Sequence, residues 1–225
     1  MCLASSAGWD GPGRGAAALT YYIGQVPASL GLSRAAVETA IDRALDAWSD
    51  AADIRFTRSQ VANQADAIDI SFRTIDGPSG TLAKAYFPDD VNRNPIAGDV
   101  VFDVAEAWEI GNGRGTAAFD MLLVAVHEIG HALGLNHIDA PGSVMADSVS
   151  RSRMFTSLAT TDVNAIQQLY APPRAATPSG GSSTPSSSGG AATTVNVDSA
   201  SSAPWQTWFS ADNHYVWWRS FFATG

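Results

Sequence analysis

His127-Glu128-Ile129-Gly130-His131-Ala132-Leu133-Gly134-Leu135-Asn136-His137 holds three of the four histidines of a 225-residue chain. Inside a helix, residues four apart differ by roughly 40° about the axis, so His127 and His131 project side by side, as two ligands of one metal ion must. A third donor taken from the next helical turn would crowd the first two. The chain therefore has to leave the helix and swing back. Gly134, which accepts positive φ without strain, is the place where it can turn and bring His137 round. Three neutral imidazoles leave one position of a tetrahedral site open to water, which is the arrangement of a catalytic rather than a structural zinc. Glu128, beside the first ligand, is then placed to act as general base on that water and to return the proton to a leaving amine. Two histidines four apart would by themselves more often be ordinary residues of an amphipathic helix. The register of Glu128, Gly134 and His137 with them argues against that reading.

Upstream of this stretch, Phe119, Leu122, Leu123 and Val126 supply an apolar side, which predicts a helix running from about 117 to 133 and stopped by Gly134. Further back, Ser33 is a helix cap followed by Val37, Ile41, Ala44, Leu45 and Trp48 at helical spacing. Residues 19–23 (LTYYI), the pair Ile54 and Phe56, the alternating Ile68, Ile70 and Phe72, and residues 83–87 and 100–102 read as five strands. Downstream, a third helix is predicted over 161–170, with Val163, Ile166 and Leu169 facing inward. Five strands and three helices make an α+β domain.

The chain divides into a small-residue N-terminal extension (1–16), this domain (17–172), a stretch rich in Pro, Ser, Thr and Gly (173–203) and an aromatic-rich tail (204–225). The composition of 173–203 cannot bury enough apolar surface to offset its ordering entropy, and it reads as a flexible linker. The tail concentrates Trp205, Trp208, Phe209, Tyr215, Trp217, Trp218, Phe221 and Phe222. It reads as a binding surface for carbohydrate or protein, a secretion or anchoring element, or the start of a truncated domain. His214 lies within it, remote from the histidine motif, and is left out of the site. A net charge of -9 repels nucleic acid and anionic membranes, so neither is expected as a partner. No apolar run long enough to span a membrane and no signal peptide is visible. With Cys2 as the single cysteine, no intrachain disulfide can form.

The histidine motif followed by Met145 in SVMAD resembles the zinc-binding motif and Met-turn of the metzincins, which would put Met145 beneath the metal as an apolar floor. An isolated methionine in a loop would read only as a core residue. Among metzincins the chain is most similar to the matrixins, the matrix-metalloproteinase-like family, from about Leu19 to Tyr170. The blocks LTYYI, Ala47-Trp48, IDISF, DGPSGTLAKAYFP, VVFDVAEAW and DVNAIQQLY carry the likeness. The resemblance implies a zincin-like catalytic domain, a twisted five-stranded mixed sheet with three helices, that hydrolyses internal peptide bonds of protein substrates outside the cell. Substrate would lie along an edge strand near Leu82, Ala83 and Ala85. It also implies a structural calcium held by Asp76, Gly77, Ser79, Thr81, Asp103 and Glu106, although DGPSG alone reads equally as a Gly-Pro turn.

The chain departs from the family where matrixins place structural-zinc histidines: Lys84 and Val101 stand there, and the His-x-Asp segment is absent, so one zinc is expected rather than two. The propeptide signature is missing around Cys2, which argues against latency through a cysteine. Serralysins, which share the zinc motif, carry a tyrosine two residues after the Met-turn methionine, where this chain has Asp147. A monomer is the default. Two other readings stay open: a non-catalytic, zinc-stabilised binding module that recognises its partner through the aromatic tail, and a zinc hydrolase acting on something other than protein. The pocket beside the metal would be shaped largely by residues 138–158, from which no cleavage preference can be read.

Overall fold

In a computed structural model, residues 6–93, 95–174 and 215–220 are described. Cys2, the stretch 175–203, His214 and the rest of the aromatic tail lie outside the described residues.

Strand β1 (Ala17–Ile23) alternates inward and outward residues, burying Ala17, Leu19, Tyr21 and Ile23 on one face. Helix α1 (Arg34–Ala51) starts where Ser33 accepts the Ala36 amide at 3.2 Å, and its stripe of Val37, Ile41, Ala44, Leu45 and Trp48 is buried. Strands β2 (Ile54–Arg58), β3 (Ala67–Arg73), β4 (Thr81–Tyr86) and β5 (Val100–Asp103) complete the five foreseen in the sequence. β1 pairs in parallel with β2 and β3, β3 pairs in parallel with β5, and β4 runs antiparallel to β5, so the sheet is mixed. The two-residue strands β6 (Trp108–Glu109) and β7 (Phe119–Asp120) form a separate pair ahead of helix α2 (Met121–Ala132). Strand β8 (Ser148–Val149), helix α3 (Thr160–Leu169) and strand β9 (Tyr215–Ser220) follow.

The three helices and five strands stand where periodicity placed them, with two differences of substance. The helix predicted from 117 starts only at Met121. Phe119 is extended because its amide bonds the Ala107 carbonyl at 2.8 Å. The Asp120 carboxylate is drawn off to the amides of Gly111 and Phe155, both at 2.9 Å. These long-range partners outbid one more helical turn. Second, β4 is not an edge strand. The full order is β2-β1-β3-β5-β4-β9-β8, so the backbone of residues 215–220 lies along the side of β4 that was expected to be open. In α3 the inward residues are Asp162, Ala165, Ile166 and Leu169, while Val163 is only partly buried.

Helix α2 is buried along its whole length, so its burial was not decided by an apolar stripe alone. It is tied to α1 by Trp48, whose indole N–H donates to the Val126 carbonyl at 2.9 Å. Its last carbonyls, which no helical turn can satisfy, are taken up by side chains from distant parts of the chain. The Trp9 indole donates to Ala132 at 2.8 Å and the Tyr170 hydroxyl to Leu133 at 2.9 Å. Residues 6–16 are thereby packed onto the domain, and the Ala171 amide bonds Gly15 at 2.7 Å.

Near the junction of β3 and β5, Asp69 and Asp99 each leave one buried carboxylate oxygen without a partner among the described residues. Burial, then the charge of Asp69, pushes the Asp99 carboxyl up to about 7, against the opposing pull of a backbone hydrogen bond at Asp69 and of the Arg73 charge. A raised carboxyl binds its proton better folded than unfolded, so this group favours folding at low pH, and its contribution turns unfavourable as pH rises from about 4 to about 7. Solvent screening of a partly exposed group reduces the cost to about 1–2 kcal/mol. Asp99→Asn is therefore expected to unfold at a higher temperature than wild type at pH 8 in chelator-containing buffer. That advantage should shrink toward pH 4, and an equal gain at both pH values would show that the charge is not responsible.

Candidate metal centre

Two turns of α2 and the loop after it assemble the centre. His127 and His131 project from the same side of the helix, their ring centroids 4.5 Å apart, and His137 comes back against them at 5.2 and 4.8 Å. The turn between helix and third histidine is made at Gly134, whose φ is 106° and whose amide bonds the His131 carbonyl at 2.9 Å. An L side chain would be strained there. The candidate ligand atoms of the three histidines lie within 4.8 Å of one another. Among the described residues they are the one cluster of three or more metal-donor side chains found.

The hydrogen bonds of these rings fix which nitrogen faces inward. His127 Nδ1 lies 2.7 Å from the Val144 carbonyl and His131 Nδ1 lies 2.7 Å from the Leu135 carbonyl. A carbonyl can only accept, so both Nδ1 atoms carry the proton and both Nε2 atoms present lone pairs. Those two Nε2 atoms stand 2.9 Å apart, and the Nε2 of His137 is buried with no hydrogen-bond partner among the described residues. Lone pairs facing one another across a buried space repel unless a cation lies between them. The donor set, three neutral imidazoles of which the two on the helix have their outer nitrogens held by backbone carbonyls, fits zinc. Burial, followed by the neighbouring rings, holds His127 and His131 well below the usual histidine range. Burial also lowers His137, so all three favour the neutral, ligating form.

Glu128 is fully buried, and neither carboxylate oxygen has a partner among the described residues. Burial pushes its carboxyl well up. An unpaired buried carboxylate is costly, so its presence calls for either a nearby cation or a proton to move.

Met145 is fully buried, with its sulfur against Gly130 of α2. A β-carbon at Gly130 would collide with its sulfur and come within 2.9 Å of the Trp48 ring, so a residue without a side chain is required between the two. Nothing in the spacing of the histidines singled out Gly130. Nor did it single out Asp162, at the start of α3, which is fully buried and binds the Met145 loop. Its carboxylate accepts the Ser143 hydroxyl, the Val144 amide at 3.0 Å and the Ala159 amide at 2.9 Å. An acidic residue in the first turn of a predicted helix is the one sequence signal it gives.

The loop expected to hold calcium is brought together by its own hydrogen bonds. Asp76 accepts the Thr81 amide at 2.9 Å and the Thr81 hydroxyl at 2.7 Å, and the Asp76 amide donates to Asp103 at 3.2 Å. The Gly80 amide donates to Glu106 at 2.8 Å. Gly77 and Ser79 both have positive φ, which folds the loop back on itself. The three carboxylates thus face backbone amides. Lys84 and Val101 are direct cross-strand neighbours on β4 and β5, and neither supplies a zinc donor. Leu82, Ala83 and Ala85 are fully buried.

An α+β domain whose central helix offers two inward imidazoles, with a third returning after a glycine turn, has the donor set of a zinc protein. The chain belongs to the matrixin family, whose model matches residues 13–171. It is 40% identical to stromelysin-3 of Xenopus laevis over 167 residues, which are 72% of this chain and 33% of that protein. It is 38% identical to matrix metalloproteinase-20 of Homo sapiens over 163 residues, 68% of this chain and 31% of that protein. With macrophage metalloelastase of Rattus norvegicus the identity is 32% over 196 residues, 84% of this chain and 40% of that protein. The chain thus spans about a third of the length of the first two of these curated relatives. Among the described residues, no helix is long and apolar enough to cross a membrane.

Proposed function

We propose that the chain is a zinc-dependent endopeptidase in which His127, His131 and His137 hold the metal and Glu128 is the general base. The observation that carries this reading is the pair of Nε2 lone pairs 2.9 Å apart beside an unpartnered, fully buried carboxylate. When bound, zinc supplies Lewis acidity, acidifying water and polarising a peptide carbonyl. Glu128 takes the proton from the attacking water and passes it to the leaving amine. Val144 and Leu135 fix the two imidazoles by holding their Nδ1 protons, and Met145 gives the centre an apolar floor. A metal that served only to rigidify the domain would gain nothing from an uncompensated carboxylate next to its ligands, so the enzyme reading is favoured over a binding module. Family membership favours protein over other substrates, and an extracellular setting agrees with that membership.

The test is cleavage of an unfolded protein substrate by the purified chain, with zinc measured by elemental analysis. About one zinc per chain is expected, with hydrolysis abolished by a chelator and restored by added zinc. Stoichiometric zinc without any cleavage would overturn the peptidase reading and favour the binding module.

Calcium is proposed at the loop of Asp76, Gly77, Ser79 and Thr81 with Asp103 and Glu106, where the acidic groups of Asp103, at the end of β5, and Glu106, just after it, already meet the loop. To bind it, the carboxylates must turn from the amides they accept toward the ion. Millimolar calcium is expected to raise the unfolding temperature by several degrees, through about 1–3 kcal/mol of binding linkage. The increment should disappear in Asp103→Ala. An unchanged unfolding temperature with calcium would remove the site.

A further inference from the structure

The slot beside β4 is filled by the chain itself. The inner side of β4 pairs with β5, and its outer side pairs antiparallel with β9, from Tyr86 opposite Tyr215 to Thr81 opposite Arg219. The far side of β9 pairs in parallel with β8, Ser148 opposite Arg219 and Val149 opposite Ser220. Both flanking strands are attached to the histidine centre. Phe87, directly after β4, packs edge-on against His131 with centroids 6.1 Å apart. β8 begins shortly after Val144 and Met145, the first of which holds His127. A polypeptide lying between β4 and β8 therefore runs alongside the centre in extended form.

Resting on the peptidase reading above, we propose that residues 215–220 are an intramolecular pseudosubstrate: they occupy the slot that an extended peptide substrate must enter, and keep it closed until they are displaced. Three observations support an occupant over a permanent structural strand. The five-stranded core is complete without β9, and the family match ends at residue 171, so this strand is an addition to the matched domain. It is joined to the domain only through the intervening residues 175–214. His127, Glu128 and His131 have no exposed surface, so the centre is closed to an incoming peptide in this arrangement.

The physics of strand addition explains why the tail can do this without resembling any particular substrate. Main-chain hydrogen bonds provide the attraction, and they are common to every extended peptide. The sequence YVWWRS, all aromatic or β-branched through its first four residues, favours the extended state. Tethering makes the pairing intramolecular, with an effective concentration on the order of millimolar. A peptide at micromolar concentration then competes at a disadvantage of ten-fold or more.

The decisive measurement uses full-length chains carrying Glu128→Ala, so that no turnover enters it. A fluorescein-labelled synthetic peptide of residues 213–222 is titrated against this chain and against the same chain with Trp217→Pro and Trp218→Pro. Successive strand residues send their amides to opposite neighbours, so one of the two prolines deletes a bond toward β4. The expected result is at least ten-fold tighter peptide binding by the proline variant, with faster hydrogen exchange at the amides of residues 81–86. A second full-length variant, with residues 215–220 replaced by Gly-Ser repeats, should behave alike and guards against a misfolded proline chain. With Glu128 restored, the same substitutions should lower KM for a peptide substrate about ten-fold and leave kcat nearly unchanged. Equal peptide affinity in closed and opened chains, or unchanged exchange in β4, would overturn the proposal. Hydrolysis by none of the Glu128 proteins would count against the peptidase reading alone, because the binding arm contains no catalytic step.

Discussion

Glu128→Ala is expected to lower hydrolysis of a protein substrate by about 10³-fold, within the range a positioned general base supplies, while zinc stays near one per chain. The split follows from geometry. In the proposed centre the three imidazoles carry the metal, and each of the two on the helix is oriented by a backbone carbonyl, not by Glu128. Removing the carboxylate therefore takes away the proton acceptor and leaves the ligand set intact. Stability should move the other way: Glu128 is fully buried without a hydrogen-bond partner, so its loss relieves a desolvation penalty. Glu128→Gln, which keeps the shape but cannot accept the proton, should be as inactive as alanine. An unfolding temperature at or above wild type, together with lost activity, would mark a residue kept for chemistry at the expense of stability. Zinc loss in Glu128→Ala would instead show that the carboxylate helps to hold the metal.

The parts of the molecule legible in the sequence were those determined by near neighbours. Ser33 and the buried stripe from Val37 to Trp48 define α1 by local spacing alone, and the alternation in β1 and β3 does the same for the sheet. His127 and His131 were legible because a helix places residues four apart together whatever the rest of the chain does. What could not be read depends on partners far away in the chain. Phe119 and Asp120 look helical until the Ala107 carbonyl and the Gly111 and Phe155 amides claim them. The strand at 215–220 pairs with residues more than a hundred positions earlier, and no local pattern announces a partner at that distance. Gly130 reads as a weak spot in a helix, since glycine costs about 1 kcal/mol there relative to alanine. Its reason is the sulfur of Met145 and the ring of Trp48, which converge on it from two other elements.

Asp162 is the sharpest case of a distant dependence, and Asp162→Ala should be the most disruptive single change outside the ligands themselves. The carboxylate is fully buried and satisfies three donors: the Ser143 hydroxyl and the amides of Val144 and Ala159. Alanine would leave these donors without their acceptor in the interior, and breaking such a buried network costs about 3–5 kcal/mol. The damage then passes along the loop. The Val144 residue whose amide Asp162 holds is also the residue whose carbonyl fixes the His127 ring, and Ser143, held by the same carboxylate, accepts the Met145 amide at 3.0 Å. Loosening that loop frees the His127 ring to rotate, so zinc affinity should fall by about 10- to 100-fold, the usual effect of losing a group that orients a ligand. Asp162→Asn keeps one acceptor oxygen and should fall between wild type and alanine on both measures. Denaturant unfolding of the zinc-free protein reads the stability loss, and competition with a zinc-binding dye reads the affinity. If stability fell and zinc affinity did not, Asp162 would be a brace for α3 alone, and the route from that helix through Val144 to His127 would have to be abandoned.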